Sequence, residues 1–325
     1  MPDLYPLLLL PEFKERVWGT RDLAPLYPNY KVGAEPIGEV WLTGDECRVA
    51  NGRVTGQTLG VLAARYGREL VGEGPPDSER FPLLVKVLFP REKLSVQVHP
   101  TDEDARRGAG VRGKSECWYV LAAEKDAQLG LGLKPGTARA DFETAARHGD
   151  PTDQLLHWIH IQPGEMLYNP AGTVHCIGPG SVLLEVQQHS DTTYRLHDYG
   201  RARELHVEQG LQVMRERTGA GKVTRGSEKT MLLVSPHFGV YKFLAEGESV
   251  QRHAGSRPSS ARVVVGLEGC GVVAAGGVEA SVTTGDALVV PASLEEFTVR
   301  PQWRFEYLCI AVPPRGAPHP PTSRD

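Results

Sequence analysis

Four side chains of the kinds that hold a divalent cation are spaced so that they could share one: Gln97 and His99, separated by a single residue, then Glu116 and His175. Two imidazoles, one carboxylate and one amide oxygen suit Zn2+, accommodate Fe2+ or Mn2+, and leave a coordination position for an exchangeable water. His175 closes the run Pro170-Ala171-Gly172-Thr173-Val174-His175, which follows Gly164. In that run Pro sets φ and Gly permits a turn that other residues resist, so the imidazole arrives pre-positioned. A lone histidine is more often a hydrogen-bonded interior residue than a ligand, so the argument rests on the set. The five cysteines, Cys47, Cys117, Cys176, Cys270 and Cys309, form neither a CxxC pair nor an even framework, so a metal must be held by nitrogen and oxygen. Arg195, a permanently charged forked donor, suits a phosphate or an oxyanion.

Ligands far apart in sequence need elements that bring them together. Residues 93–99 alternate strictly: Leu94, Val96 and Val98 face one way, and Ser95, Gln97 and His99 the other. One face of this strand is therefore polar and carries ligand-type side chains. The apolar run 83–89 reads as a strand before it, and Thr101 with Asp102, Glu103 and Asp104 reads as a capped helix start after it. Glu116 begins the next strand, 117–121, and further strands are expected at 128–131, 158–161, 166–168, 182–187 and 193–197. Helices interrupt them at 141–148, closed by Gly149, and at 204–217, where Val207, Leu211 and Met214 share a face. Upstream lies an irregular arm to about residue 50, with Trp18-Gly19 and Gly38-Glu39-Val40-Trp41. A helix follows with Leu59, Leu62, Ala63, Tyr66 and Leu70 on one face, ended by Gly72 and Gly74, and then a Gly74-Pro75-Pro76-Asp77 loop.

After the linker Gly219-Ala220-Gly221, a second β-rich block runs from near Met231 to near Val312, with a Pro-, Arg- and Ser-rich tail expected to be disordered. The spacing Gly164 to Pro170 recurs as Gly285 to Pro291, but Glu296 stands where the first copy has His175, which predicts a metal-free second barrel. The expected division is residues 1–220, an arm and a metal-binding barrel with helical insertions, and residues 221–325, a degenerate barrel and a flexible tail.

Composition agrees. A chain of 325 residues, 40% hydrophobic, supports one large or two medium domains. Thirty-six Gly and twenty-five Pro between short Val/Leu/Ile runs suggest many short strands joined by turns. The net charge of -4 lacks the dense positive surface that nucleic acid or an anionic membrane requires, so small molecules are the expected partners. The leucines at 7–10 are too few for a signal peptide or a membrane span, and a cytoplasmic location is expected.

The spacing Gly164…Pro170-x-Gly172-x-x-His175 matches the second cupin motif. With Gln97-Val98-His99-Pro100, Gly113-Lys114-Ser115-Glu116, Asn169-Pro170-Ala171-Gly172-Thr173-Val174-His175 and Ser190-Asp191-Thr192-Thr193-Tyr194-Arg195, the chain resembles the type I mannose-6-phosphate isomerases in their short bacterial form. A cupin with Gln97 in place of the first His, and with Glu116 after a long loop, departs from the general pattern in the way this family does. The resemblance implies a mainly β fold of two cupin-type jelly-roll barrels with short helical insertions. It implies one zinc held by Gln97, His99, Glu116 and His175, with Arg195 the catalytic arginine and Lys114 in the substrate pocket. Lys114 is a second candidate for catalysis, and Lys86, Ser95, Lys114 and Arg195 are the expected contacts to a phosphosugar. His157, His160 and His253 carry no motif and are read as structural or solvated.

The implied reaction interconverts mannose 6-phosphate and fructose 6-phosphate through an enediolate, whose negative charge a divalent cation and a fixed arginine can stabilise. Two other readings use the same residues. A cupin dioxygenase would hold iron in the same cage and consume oxygen. A sugar-binding cupin module without catalysis would need an effector segment that the chain lacks.

Overall fold

The computed structural model describes residues 4–72, 79–108, 112–224, 230–252, 260–313 and 317–323. Short antiparallel strands dominate it, as the turn-rich composition requires, and they form a five-stranded sheet and two eight-stranded sheets. The five-stranded sheet has the order Tyr194–His197, Val96–Val98, His175–Ile177, Gln128–Leu133, Leu156–His160. Facing it is an eight-stranded sheet, hereafter the large sheet, whose central strands are Leu83–Leu88, Ser181–Gln188, Glu116–Ala123 and Met166–Asn169. Together they make the first jelly roll.

The period of two decides what lies between these sheets. Trp118, Val120, Leu167 and Leu183 from the large sheet meet Leu129, Leu131, Ile159 and Ile177 from the small one in a closed apolar core. The intervening residues of the small sheet, Val96, Val98, Cys176 and Leu196, point away and are covered by Phe142 of the helix Arg139–His148 and by Leu211 and Met214 at the helix Val207–Val213. Both helices are thus amphipathic lids on the back of the sheet that carries ligands. The other face of the large sheet, through Val85, Val87, Cys117, Tyr168, Leu184 and Val186, joins one core with Val240, Val263, Val289 and Ile310 of the second β unit. The run at 83–89 is apolar apart from Lys86 because its strand is buried on both faces.

The second unit is the remaining eight-stranded sheet. The internal repeat is structural: Gly164 and Gly285 both adopt φ of 86°, each followed by a four-residue strand, Met166–Asn169 and Ala287–Val290, and then by Pro170 and Pro291. Where His175 begins a strand in the first copy, Glu296 begins one in the second and is exposed. The second interior is lined by Val264, Val273, Leu288, Phe297, Val299 and Phe305.

Several elements differ from expectation. Gly67 divides the upstream helix into Leu59–Tyr66 and Arg68–Val71, while Gly74 and the loop 74–77 lie outside the described residues, as does His253. The helix expected at 204–217 is shorter, because Met214 turns to extended backbone and Arg215 donates its N–H to the Gly172 carbonyl. The linker glycine Gly221 starts a strand, Gly221–Val223, that pairs with Met166–Asn169. Thr322–Ser323 of the tail pairs in turn with that strand, so this part of the tail is ordered where disorder was expected. Leu7–Leu9 of the arm pairs with Ala287–Val290, so each end of the chain adds a strand to the unit that is remote in sequence. Among the described residues no helix is long and apolar enough to cross a membrane.

Candidate metal centre

Three elements of the small sheet set the base of the site. Gln97 lies opposite His175 on one neighbouring strand and opposite Arg195 on the other, so all three side chains leave on the face toward the large sheet. His99 follows directly on the Gln97 strand. Glu116 opens its strand in the large sheet opposite Asn169. The turn before His175 needs its glycine: Gly172 has φ of 86°, a Cβ there would sit 2.7 Å from Arg215 Cγ, and its N–H donates to the His99 carbonyl at 2.8 Å. The same turn therefore ties one candidate ligand to the other.

His99, Glu116 and His175 are each at most 1% exposed. Their ligand atoms all lie within 4.8 Å of one another. Two ligands of one zinc ion, each about 2.1 Å from it, lie at most about 4.2 Å apart, so small side-chain adjustments would bring these atoms onto a shared ion. Each ring is oriented by its rear nitrogen. His99 Nδ1 donates to the Thr192 carbonyl at 3.0 Å, and His175 Nδ1 to the Thr173 carbonyl at 3.0 Å, a tautomer assigned from these acceptors. Both Nε2 lone pairs then face the centre. Burial, reinforced by the neighbouring Lys114 charge, lowers the His99 pKa to about 3 and keeps that ring neutral. Burial alone would raise the Glu116 pKa, but the neighbouring Lys114 charge leads the opposing effects, which hold it well below the usual carboxylate range.

The residues present fit a cation. His175 Nε2 and Glu116 Oε1 approach to 3.1 Å although both are acceptors in this tautomer, a repulsion that a positive ion between them would relieve. Glu116 Oε2 is buried without a hydrogen-bond partner. Oε1 accepts from Asn169 Nδ2 at 2.9 Å, which leaves the other oxygen for a metal. Gln97 reaches the centre with its amide nitrogen, Nε2 donating to His175 Nε2 at 3.2 Å, while its Oε1 accepts from Ser95 Oγ at 3.4 Å; an amide flip would turn the oxygen inward. The donor set is nitrogen and oxygen throughout, as the scattered cysteines require.

The cations divide. Lys114 is 5% exposed, with Nζ 3.3 Å from His99 Nε2 and 3.5 Å from Glu116 Oε2. Lys86 lies in the wall: its Nζ is 3.0 Å from Glu185 and 3.9 Å from Glu39, and these acids outweigh the effect of burial and raise its pKa. Its charge is thereby balanced inside the barrel. Arg195 is partly exposed, its Nη1 donates to the Glu204 carbonyl at 3.5 Å, and among the described residues its buried Nε has no hydrogen-bond partner. Asp198 is instead taken by Arg201 and Arg203. His160 is exposed and meets Gln128.

Sequence reasoning passed over Asn169, which touches both Glu116 and His175, and Glu185, which accepts the Trp118 indole N–H at 2.6 Å and pairs with Lys86. Asn169 stands next to Pro170 in the quoted motif, so position alone could have flagged it. Glu185 sits in an apolar run, and an acid there, on the inward face of a buried strand, was the available signal.

Comparison with known proteins agrees with this geometry. The family model for the phosphomannose isomerase type I catalytic domain matches residues 7–141. A Bacillus subtilis protein described as probable mannose-6-phosphate isomerase GmuF is 34% identical over 320 residues, covering 93% of this chain and 98% of that one. The B. subtilis mannose-6-phosphate isomerase ManA is 35% identical over 309 residues, covering 90% and 95%. The crystal structure of a mannose 6-phosphate isomerase from B. subtilis superposes with a TM-score of 0.80 at 30% identity, covering 95% of this chain and 99% of that one. With relatives at this identity along nearly its whole length, and with the three buried ligands assembled, the chain belongs to the type I phosphomannose isomerases.

Proposed function

We propose that this chain interconverts mannose 6-phosphate and fructose 6-phosphate, with one zinc ion held by His99, Glu116 and His175 and by the amide oxygen of Gln97. Fe2+ or Mn2+ would suit the same donors. The observation that carries the reading is the convergence of two buried imidazoles and an ionised carboxylate on one point, with an arginine on the same sheet face. When bound, the cation would supply Lewis-acid stabilisation of the negative charge that develops on the sugar oxygens.

The remaining steps fall to side chains. Lys114, buried beside His99 and Glu116, is the group placed to hold or move a proton at the carbons that exchange the carbonyl. Arg195, on the same sheet face as Gln97 and partly exposed, is the cation that can take the phosphate or the enediolate oxygen. Ser95 and Gln97 line the face between them. Lys86 contributes through the wall, holding Glu185 against Trp118, whose ring centroid lies 5.7 Å from that of His175. Residues 1–220 then hold the chemistry, and the degenerate unit 221–325 supports the back of the large sheet without a metal of its own.

Direct assay tests this. The zinc-loaded protein should convert mannose 6-phosphate to fructose 6-phosphate faster than it converts other aldose phosphates. Binding of the phosphosugar without conversion, or oxygen consumption with iron bound, would reject the isomerase reading.

A further inference from the structure

Glu116 and Lys114 come from a segment, 113–116, that precedes its strand, yet every backbone N–H of Gly113, Lys114 and Ser115 has a partner. The Gly113 N–H donates to Asp102 Oδ1 at 2.7 Å, the Lys114 N–H to the Pro100 carbonyl at 3.0 Å and the Ser115 N–H to Gln188 Oε1 at 2.9 Å. Gln188 also donates its own N–H to the Ser115 carbonyl at 3.1 Å, so it brackets Ser115 from both sides. Its side-chain Nε2 donates to the same Asp102 oxygen at 3.0 Å, which joins the two holds. The ladder between Ser181–Gln188 and Glu116–Ala123 ends at Gln187 and Glu116, and the Gln188 side chain continues it by one residue. The approach is close because Gly113 has no side chain: a Cβ there would lie 2.5 Å from Asp102 N and 2.7 Å from Thr101 C, both backbone atoms that cannot yield.

We infer that Asp102 and Gln188 form a clip that positions Lys114 for the isomerisation. The inference rests on the reading of Lys114 as a group that acts on the substrate. Pro100, Thr101 and Asp102 follow His99 directly, so the clip fixes the Lys114 backbone to the stretch of chain that carries a metal ligand. A lysine side chain keeps much rotamer freedom. An anchored backbone is therefore needed to hold Nζ 3.3 Å from His99 Nε2. Misplacement of a reacting group by about 1 Å can cost on the order of 100-fold in rate. Among the described residues neither Asp102 nor Gln188 hydrogen-bonds His99, Glu116 or His175, and both are positioning residues.

The test is a double-mutant cycle on the zinc-loaded enzyme, with metal content and amide hydrogen exchange measured beside kcat. Gln188→Met keeps the side-chain volume and removes its hydrogen bonds. It should lower kcat by about tenfold or more, leave the zinc content unchanged and speed exchange at Ser115. In a Lys114→Met background it should cause no further loss. Asp102→Ala should behave alike at Gly113, and Asp102→Asn, which retains an acceptor oxygen, should restore activity. Unaltered kcat in Gln188→Met, unaltered exchange at Ser115, loss of zinc, or the same fold-loss in the Lys114→Met background would each overturn the clip. Full turnover in Lys114→Met alone would instead overturn the role of Lys114 and with it this inference.

Discussion

Gln97 and His175 are register partners across two short strands of the small sheet, and their side chains meet at 3.2 Å on its inner face. Arg195 is the partner of Gln97 on the opposite side. Three candidate site residues thus stand in a row across three strands, at a spacing set by the sheet. Loops need only complete the site. Rigid placement of this kind would separate a metal at one end of the row from an anion contact at the other, as proposed above.

That separation predicts distinct phenotypes. Arg195→Ala should keep its metal and lower kcat/KM by about 100-fold or more, the range found when one charge-stabilising donor is lost. Steady-state kinetics beside metal analysis checks it, and a metal-depleted Arg195 variant would contradict the division of roles.

Asn169 holds Glu116 Oε1 at 2.9 Å and contacts the His175 ring at 3.2 Å. Outer partners of this sort tune affinity, so Asn169→Leu should weaken metal binding by about 10- to 100-fold without unfolding the barrel. Competition against a zinc chelator measures the change; wild-type affinity would show that Asn169 orients neither ligand.

Asp198 is 3% exposed and accepts from Arg203 at 2.5 and 2.7 Å and from Arg201 at 3.3 Å. This knot closes the loop that returns His206 to the Arg195 carbonyl. Asp198→Asn should cost about 2 kcal/mol of stability and lower turnover with metal retained. Urea unfolding at wild-type midpoint, together with wild-type kcat, would count against it.

Glu39, paired with Lys86 and Arg16, makes folding stability depend on pH. Burial alone would raise its pKa, but Lys86 and Arg16, with the Trp41 indole, lower it from 4.5 to about 2. A carboxylate depressed in the folded state stabilises fully above the unfolded value and loses that contribution as pH falls through the folded one. The window is therefore pH 4.5 down to about 2, and the contribution at neutral pH is about 3 kcal/mol. Thermal unfolding of Glu39→Gln should show a shallower acid slope over this window than the parent; identical slopes would exclude this contribution of Glu39.

The candidate cluster of His99, Glu116 and His175 was legible in the sequence because alternation and turn chemistry are local. Ser95, Gln97 and His99 share a face by the period of two, and Pro170 with Gly172 delivers His175, so both survive without knowledge of the fold. The capped start at Thr101 was legible for the same reason, and the structure forms the full capping box with Asp104. What stayed hidden depends on distant pairing. Nothing near Gly221 or Thr322 announces that these strands will pair with each other beside Met166–Asn169, and nothing near Leu7 marks a partner at Val289. Lys86 was legible as an inward-facing lysine, but its balance by Glu185 and Glu39 belongs to strands brought together only in the sheet. Gly67 breaks a helix whose apolar face continues to Leu70, so periodicity alone overran it.

The most direct measurement is the metal content of the purified protein and of two single variants. The parent should carry close to one zinc per chain, lose isomerase activity on chelation and regain it when zinc is returned, while His99→Ala and His175→Ala should each fold and hold almost none. Stoichiometric metal in both variants, or full activity in the metal-free parent, would contradict a shared ion at this centre.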